Sequence, residues 1–103
     1  MTIKKLFYMP YAQAHVEIDS SNNAYLFSYK TLVIQLTADG WLTCTGTYSP
    51  TTRKHIGAFM KEYVSYPNGE HGSYYDAKKA YFGDFDFNVK TGEVRFHKEN
   101  DGR

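Results

Sequence analysis

The chain has 103 residues, with 12 Lys and Arg against 11 Asp and Glu, ten tyrosines, seven phenylalanines, one tryptophan and one cysteine. That length suits one domain, and an apolar content of 42% provides for a core that a disordered chain lacks. A net charge of +1 gives no field that draws the protein onto nucleic acid or an acidic membrane, and the lone Cys44 excludes an intrachain disulfide and every cysteine-rich zinc module.

Met1 to Lys5 is charged, but the apolar stretch that follows contains Pro10 and is too short for a signal segment or a membrane span. A reducing cytoplasm is the expected compartment. From residue 12 the pattern alternates with a period of two, which predicts strands. Ala12, Ala14, Val16 and Ile18 share one face, with Gln13, His15 and Glu17 opposite. Asp19 to Asn23 carries turn chemistry, because Asn and Asp tolerate left-handed backbone and bond their own main chain. In the next strand Tyr25, Phe27 and Tyr29 alternate with Leu26 and Ser28, and the three aromatics are expected to form the core beneath the helices. Leu32, Ile34 and Leu36 continue the alternation, with Val33 and Gln35 opposite. Ala38-Asp39-Gly40 predicts a hairpin into a strand with Leu42 and Cys44 inward, where Cys44 acts as a small apolar side chain.

The period then changes to 3.6. Ile56, Phe59, Met60, Tyr63 and Val64 follow i, i+3, i+4, i+7, i+8 across a helix over 51–64, with Ser49 as N-cap and Pro50 in the first turn. Pro67-Asn68-Gly69 ends it. A second helix is predicted over 73–82, opened by the capping-box spacing Ser73-x-x-Asp76, with Tyr74, Ala77 and Tyr81 on one face and Gly83 as its stop. Phe85, Phe87 and Val89, then Lys90-Thr91-Gly92, then Val94 and Phe96 predict a closing hairpin. The expected architecture is therefore α+β: a mostly antiparallel sheet of five to six strands with two helices on one face, in the order strands, helix, helix, strands. Residues 1–97 form the predicted domain, and 98–103 a polar, frayed tail.

Chemistry-bearing groups are sparse. His15, His55, His71 and His97 show neither the helical i, i+4 nor the strand i, i+2 spacing that presets a metal site, so no metal and no cofactor is expected. Asp84 and Asp86 share a strand face, which suits a general acid/base pair or a cation but equally describes a solvated face. No nucleophile elbow, Walker loop or dinucleotide fingerprint occurs, and the chain is read as a non-enzyme with no catalytic residues.

Two patterns remain. Tyr48 to Ile56 gathers hydroxyls with Arg53, Lys54 and a protonatable His55 at a helix N-terminus, where free N–H groups and the dipole favour an anion such as phosphate. Lys61 extends this basic strip by two turns. Tyr8, Tyr11, Tyr66, Tyr74 and Tyr75 exceed what a core needs and suit a protein interface, since tyrosine offers rigid contact area with a polar tip. The expected contact set is Tyr48, Arg53, Lys54, Lys61, Tyr66, Tyr74 and Tyr75.

Tyr29 to Ile34, Cys44-Thr45-Gly46-Thr47-Tyr48-Ser49-Pro50-Thr51-Thr52-Arg53-Lys54-His55-Ile56, Phe59 and Glu62-Tyr63 resemble a small protein family common in bacteriophages and mobile elements. Ser73 to Lys78 and Asn88-Val89-Lys90-Thr91-Gly92-Glu93 match its later parts, so the likeness covers residues 24–94. That family carries no assigned biochemical role, so the resemblance implies a setting, a bacterial host cell, and no catalytic residues. In that setting, the expected function is stoichiometric inhibition of a host nuclease complex by protein–protein contact, in the manner of an anti-CRISPR or other anti-defence protein. The partner is then a host protein or nucleoprotein complex, and a homodimer is a further use for surplus aromatic surface. Two alternatives stay open: a nucleic-acid-binding module using the basic helix face with Tyr25, Phe27 and Tyr29, and an enzyme or binder for a phosphorylated ligand at Ser49–Lys54.

Overall fold

A computed structural model describes residues 1–44, 49–66, 68–82 and 85–96. Its elements follow the chain as β1 (Thr2–Lys4), β2 (Ala14–Ile18), β3 (Ala24–Ser28), β4 (Thr31–Leu36), β5 (Trp41–Cys44), α1 (Pro50–Tyr63), α2 (Tyr74–Phe82), β6 (Phe85–Asn88) and β7 (Val94–Phe96). The strands form one seven-stranded sheet in sequential order, and every neighbouring pair is antiparallel. The α+β class and the order of elements are those the patterning predicts. The strand count is higher because Thr2-Ile3-Lys4, too short to show any alternation, pairs with Ile18, Glu17 and Val16.

Both helices sit on one face of the sheet. Val16, Leu26 and Ile34 form a cross-strand row beneath them, flanked by Leu36 and Leu42, and all five are buried. From α1, Ile56, Phe59 and Met60 close that core with no exposed surface; Ala77 of α2 adds to it. Burial of one such side chain is worth about 1.5–3 kcal/mol, so this layer carries most of the fold's cohesion. The helix starts obey local chemistry. Ser49 caps α1 by accepting the Thr52 N–H at 3.2 Å, with Pro50 at the first position. Ahead of α2, Asp76 accepts the Ser73 N–H at 2.9 Å.

Strand β3 reverses the expected parity. Ala24, Leu26 and Ser28 point into the core, while Tyr25 and Phe27 lie on the sheet face away from the helices. Each aromatic has a reason to stay out: the Tyr25 hydroxyl donates to Asp19 at 2.9 Å, and the Phe27 ring stacks on His15 with centroids 4.9 Å apart. Tyr29 leaves the strand altogether in a turn with φ +57° and is half exposed. A bulge opposite Leu26 and Phe27 then sets Leu32 across from Phe27 and buries Val33 beside Ile34, which breaks the alternation expected in β4. Cys44 does face the helices, and its thiol donates to the Ala77 carbonyl at 3.2 Å. The stretch 45–48, Gly83, Asp84, His97 and the tail 98–103 lie outside the described residues.

Candidate functional site

The segment around Ser49 divides into an inward and an outward half. Thr52 and His55, one turn apart, both face the sheet and meet Ser28 at the end of β3. Ser28 Oγ lies 3.0 Å from Thr52 Oγ1 and 2.8 Å from His55 Nδ1, and Ser49 Oγ donates to Thr52 Oγ1 at 3.1 Å. One proton order satisfies the whole chain: Ser49 to Thr52, Thr52 to Ser28, Ser28 to His55 Nδ1. It leaves the imidazole neutral with its proton on Nε2. Burial lowers the His55 pKa, in keeping with that neutral form. The neutral His55 adds no third cation at this helix start, and two hydroxyl-bearing residues of the motif, Ser49 and Thr52, serve the fold. Ser28 and His55 are each 2% exposed, so the pair lies in the core and not on an open surface.

The outward half is basic. Arg53, Lys54 and Lys61 are all exposed. Lys54, Gly57 and Lys61 follow i, i+3, i+7 along one stripe of α1, and a Cβ added at Gly57 would meet nothing within 4 Å. Beside this stripe lies the loop of residues 5–13. Leu6 anchors it in the core, and the Phe7 N–H donates to Glu62 Oε1 at 2.9 Å. Phe7 and Tyr8 pack edge to face with centroids 5.0 Å apart, and the Lys61 ammonium sits 4.4 Å above the Tyr8 ring. Phe7 is 72% exposed, Tyr8 45% and Tyr11 97%. The main chain of the loop reaches Tyr29, whose N–H donates to the Gln13 carbonyl at 2.7 Å.

The expected contact residues are thus only partly brought together. Arg53, Lys54 and Lys61 share the outer side of α1. Tyr66 and Tyr74 are half-buried against the core, and burial pushes the Tyr66 hydroxyl up to about 12, with Asp76 adding to the shift. Tyr75 is exposed on α2, and Tyr48 lies outside the described residues. Phe7 and Tyr8 join this surface at Lys61, exposed Tyr11 lies in the same loop, and none of the three was in that set. Their signal was legible: an aromatic run without period, interrupted by Pro10, cannot bury all its rings on one strand face.

A family model matches residues 4–80, from the end of β1 through most of α2, and takes in the loop, the Ser28–His55 cluster and the whole of α1. The chain belongs to the family of unknown function DUF8033. No curated protein and no solved structure matches it.

In the DUF8033 chain the uncovered sheet face is a second, different surface. Glu17, Tyr25, Gln35 and Thr43 are cross-strand neighbours there. The row continues past the matched segment, where Thr43 donates to Asp86 at 2.9 Å and Arg95 Nε pairs with the same carboxylate at 3.1 Å. Arg95 also lies 4.1 Å above the Trp41 ring, and His15 bonds Glu17 at 2.9 Å. Asp86 is buried and engaged on both oxygens, so it has no role as a free acid or base. Among the described residues no group of three or more His, Cys, Asp or Glu converges on a metal-sized site, and no helix is long and apolar enough to cross a membrane.

Proposed function

We propose that this chain is a small binding protein of phage type that acts stoichiometrically, docking on an acidic surface of a host nuclease complex and inhibiting it as an anti-CRISPR or related anti-defence protein does. The observation that carries the reading is the contact of Lys61, on the basic side of α1, with the exposed Phe7–Tyr8 pair of the neighbouring loop. Aromatic anchors beside cations are the composition of interface hot spots, and water-exposed rings cost a free protein solubility without adding to its core. Gly57 points the same way. A mid-helix glycine costs about 0.5–1 kcal/mol against alanine, and no neighbour among the described residues requires one. A partner backbone laid closely across α1 does. The absence of acidic side chains in the first turn of α1 leaves the stripe uniformly basic there, which selects a partner rich in Asp and Glu.

The test is phage plating on a host with active CRISPR immunity, with and without expression of the chain. Wild type is expected to restore plaques, and a Tyr8→Ala/Lys54→Glu/Lys61→Glu variant, folded by circular dichroism, is expected not to. Equal plating by both, against every immune system tried, sinks the reading.

A nucleic-acid module is the second reading, favoured by Tyr25, Phe27 and Trp41 on the uncovered sheet face. Against it, those rings are occupied by Asp19, His15 and Arg95, and Glu17 and Asp86 on the same face repel phosphate. Flat titrations with labelled DNA and RNA at low salt are the expected outcome.

A further inference from the structure

At the end of the sheet remote from the start of α1, the helix side holds a cleft of about 320 Å3. Three turns frame it, and they are braced against one another. The Ala38 N–H donates to Asn23 Oδ1 at 3.0 Å, the Asn88 amide to the Asp39 carbonyl at 3.2 Å, and the Val89 N–H to the Gly40 carbonyl at 2.8 Å. The fit between the turns is close: at Gly40, with φ +101°, a Cβ would stand 2.8 Å from Asn88 Oδ1 and 2.9 Å from Lys90 Cγ. Such a rim is set before any ligand arrives, which removes an ordering cost from binding.

The lining has a definite chemistry. Ile18, Ala24, Leu36 and Val89 give it an apolar floor, and no Asp or Glu among the described residues lines it. Lys90 stands at its edge with Nζ 2.9 Å from the Ala38 carbonyl. That bond fixes the ammonium in place and uses one of its three N–H donors, and no carboxylate among the described residues neutralises it. Tyr63 completes the wall. Its hydroxyl is shielded from water and, among the described residues, makes no hydrogen bond of normal geometry, though the Glu62 carboxylate lies near enough to act on it. Burial, with a smaller contribution from Glu62, pushes this phenol up to about 12, so it stays a donor at neutral pH.

We propose that this cleft is a binding site for a small amphipathic carboxylate, whose apolar body rests on Ile18, Leu36 and Val89 and whose charge meets Lys90. The size falls at the lower end of ligand pockets, and apolar walls with a charged donor at the rim suit a ligand that is apolar at one end and anionic at the other. The site shares no residue with the docking surface on α1 and the loop of residues 5–13, so the two readings stand or fall separately.

The experiment is a titration of the 15N-labelled full chain, followed by amide shifts, with 4-phenylbutyrate, its neutral amide 4-phenylbutanamide and the cation 4-phenylbutylamine. The carboxylate is expected to saturate with a Kd of about 1 mM, as befits so few heavy atoms, and to shift the amides of Ala24, Thr37, Gly40, Ser65 and Lys90. Lys90→Gln, at an exposed position that leaves the spectrum otherwise intact, weakens the carboxylate about five-fold and leaves the amide unchanged. Three results overturn the proposal: no saturable shifts at these amides, equal binding of the amine, or unaltered carboxylate affinity in Lys90→Gln.

Discussion

His55 shows how one buried residue ties a motif to the fold. Its Nδ1 accepts from Ser28, Ser28 accepts from Thr52, and Thr52 from Ser49, so the first turn of α1 is stitched to β3 through hydroxyls rather than apolar contact. Protonating Nδ1 would oppose the Ser28 proton and place a charge in the core. The unfolded chain has no such restraint and takes up its proton near the ordinary value of 6.5, while burial holds the folded value lower. The unfolded state therefore binds more protons as the pH falls through that window, and stability declines with it. Urea midpoints are expected to start dropping as the pH falls through about 6.5 and to level off once the folded imidazole, whose pKa lies lower, also titrates. In His55→Gln that drop disappears, and any decline begins only below about pH 4, where protonating Asp19 removes the bonds that lower its pKa, foremost that from the Asn23 N–H. Ser49-Pro50 was legible in the sequence as a helix start, because capping is local chemistry. The sequence did not reveal that Thr52 and His55 turn inward, since their partner Ser28 is 24 residues from the first of them.

At the scale of elements, α1 sets two glycine environments side by side. Gly57 lies mid-helix with open space where a Cβ would go, whereas a Cβ at Gly72 would stand 2.8 Å from Val64 Cβ and 3.1 Å from the Met60 carbonyl. Gly57→Ala is expected to stabilise the chain by about 0.5–1 kcal/mol through helix propensity and reduced unfolded-state entropy. Gly72→Ala is expected to destabilise it by about 1–3 kcal/mol, because the loop after α1 must shift away from Val64. Thermal melts of the two variants read both signs at once, and a destabilised Gly57→Ala would contradict the open space described. The helices were plain in advance because their signals are periodic and capped. The parity of β3 was not, because size alone favours Tyr25 and Phe27 for the core over Leu26 and Ser28. What decides it is the polar tip of Tyr25 finding Asp19 and the buried hydroxyl of Ser28 finding His55, and neither partner lies in the strand itself. The same blindness to distant partners hid β1, whose pairing with β2 has no periodic trace.

At the scale of the whole molecule, the near-cancelling charges are arranged differently on the two faces. Arg53, Lys54 and Lys61 line the outer side of α1 beside the exposed rings of the loop of residues 5–13, while Glu17 and Asp86 lie on the opposite face of the sheet. Two kinds of residue in that loop do different work. Leu6 is buried and holds the loop to the core, so Leu6→Ala is expected to cost about 2–5 kcal/mol. Phe7 and Tyr11 expose most of their surface, and the Phe7 ring packs on Tyr8, itself exposed, so the Phe7→Ser/Tyr11→Ser pair is expected to leave the stability within about 0.5 kcal/mol of wild type. If the loop serves a partner, the same double variant loses the restoration of plaques on the immune host, and adding salt weakens wild-type binding to that partner because Lys54 and Lys61 are screened. A double variant that unfolds would instead make the rings structural, and one that keeps full activity would move the docking surface elsewhere. Stability and plating measured on one variant therefore separate a fold-holding loop from a partner-holding one.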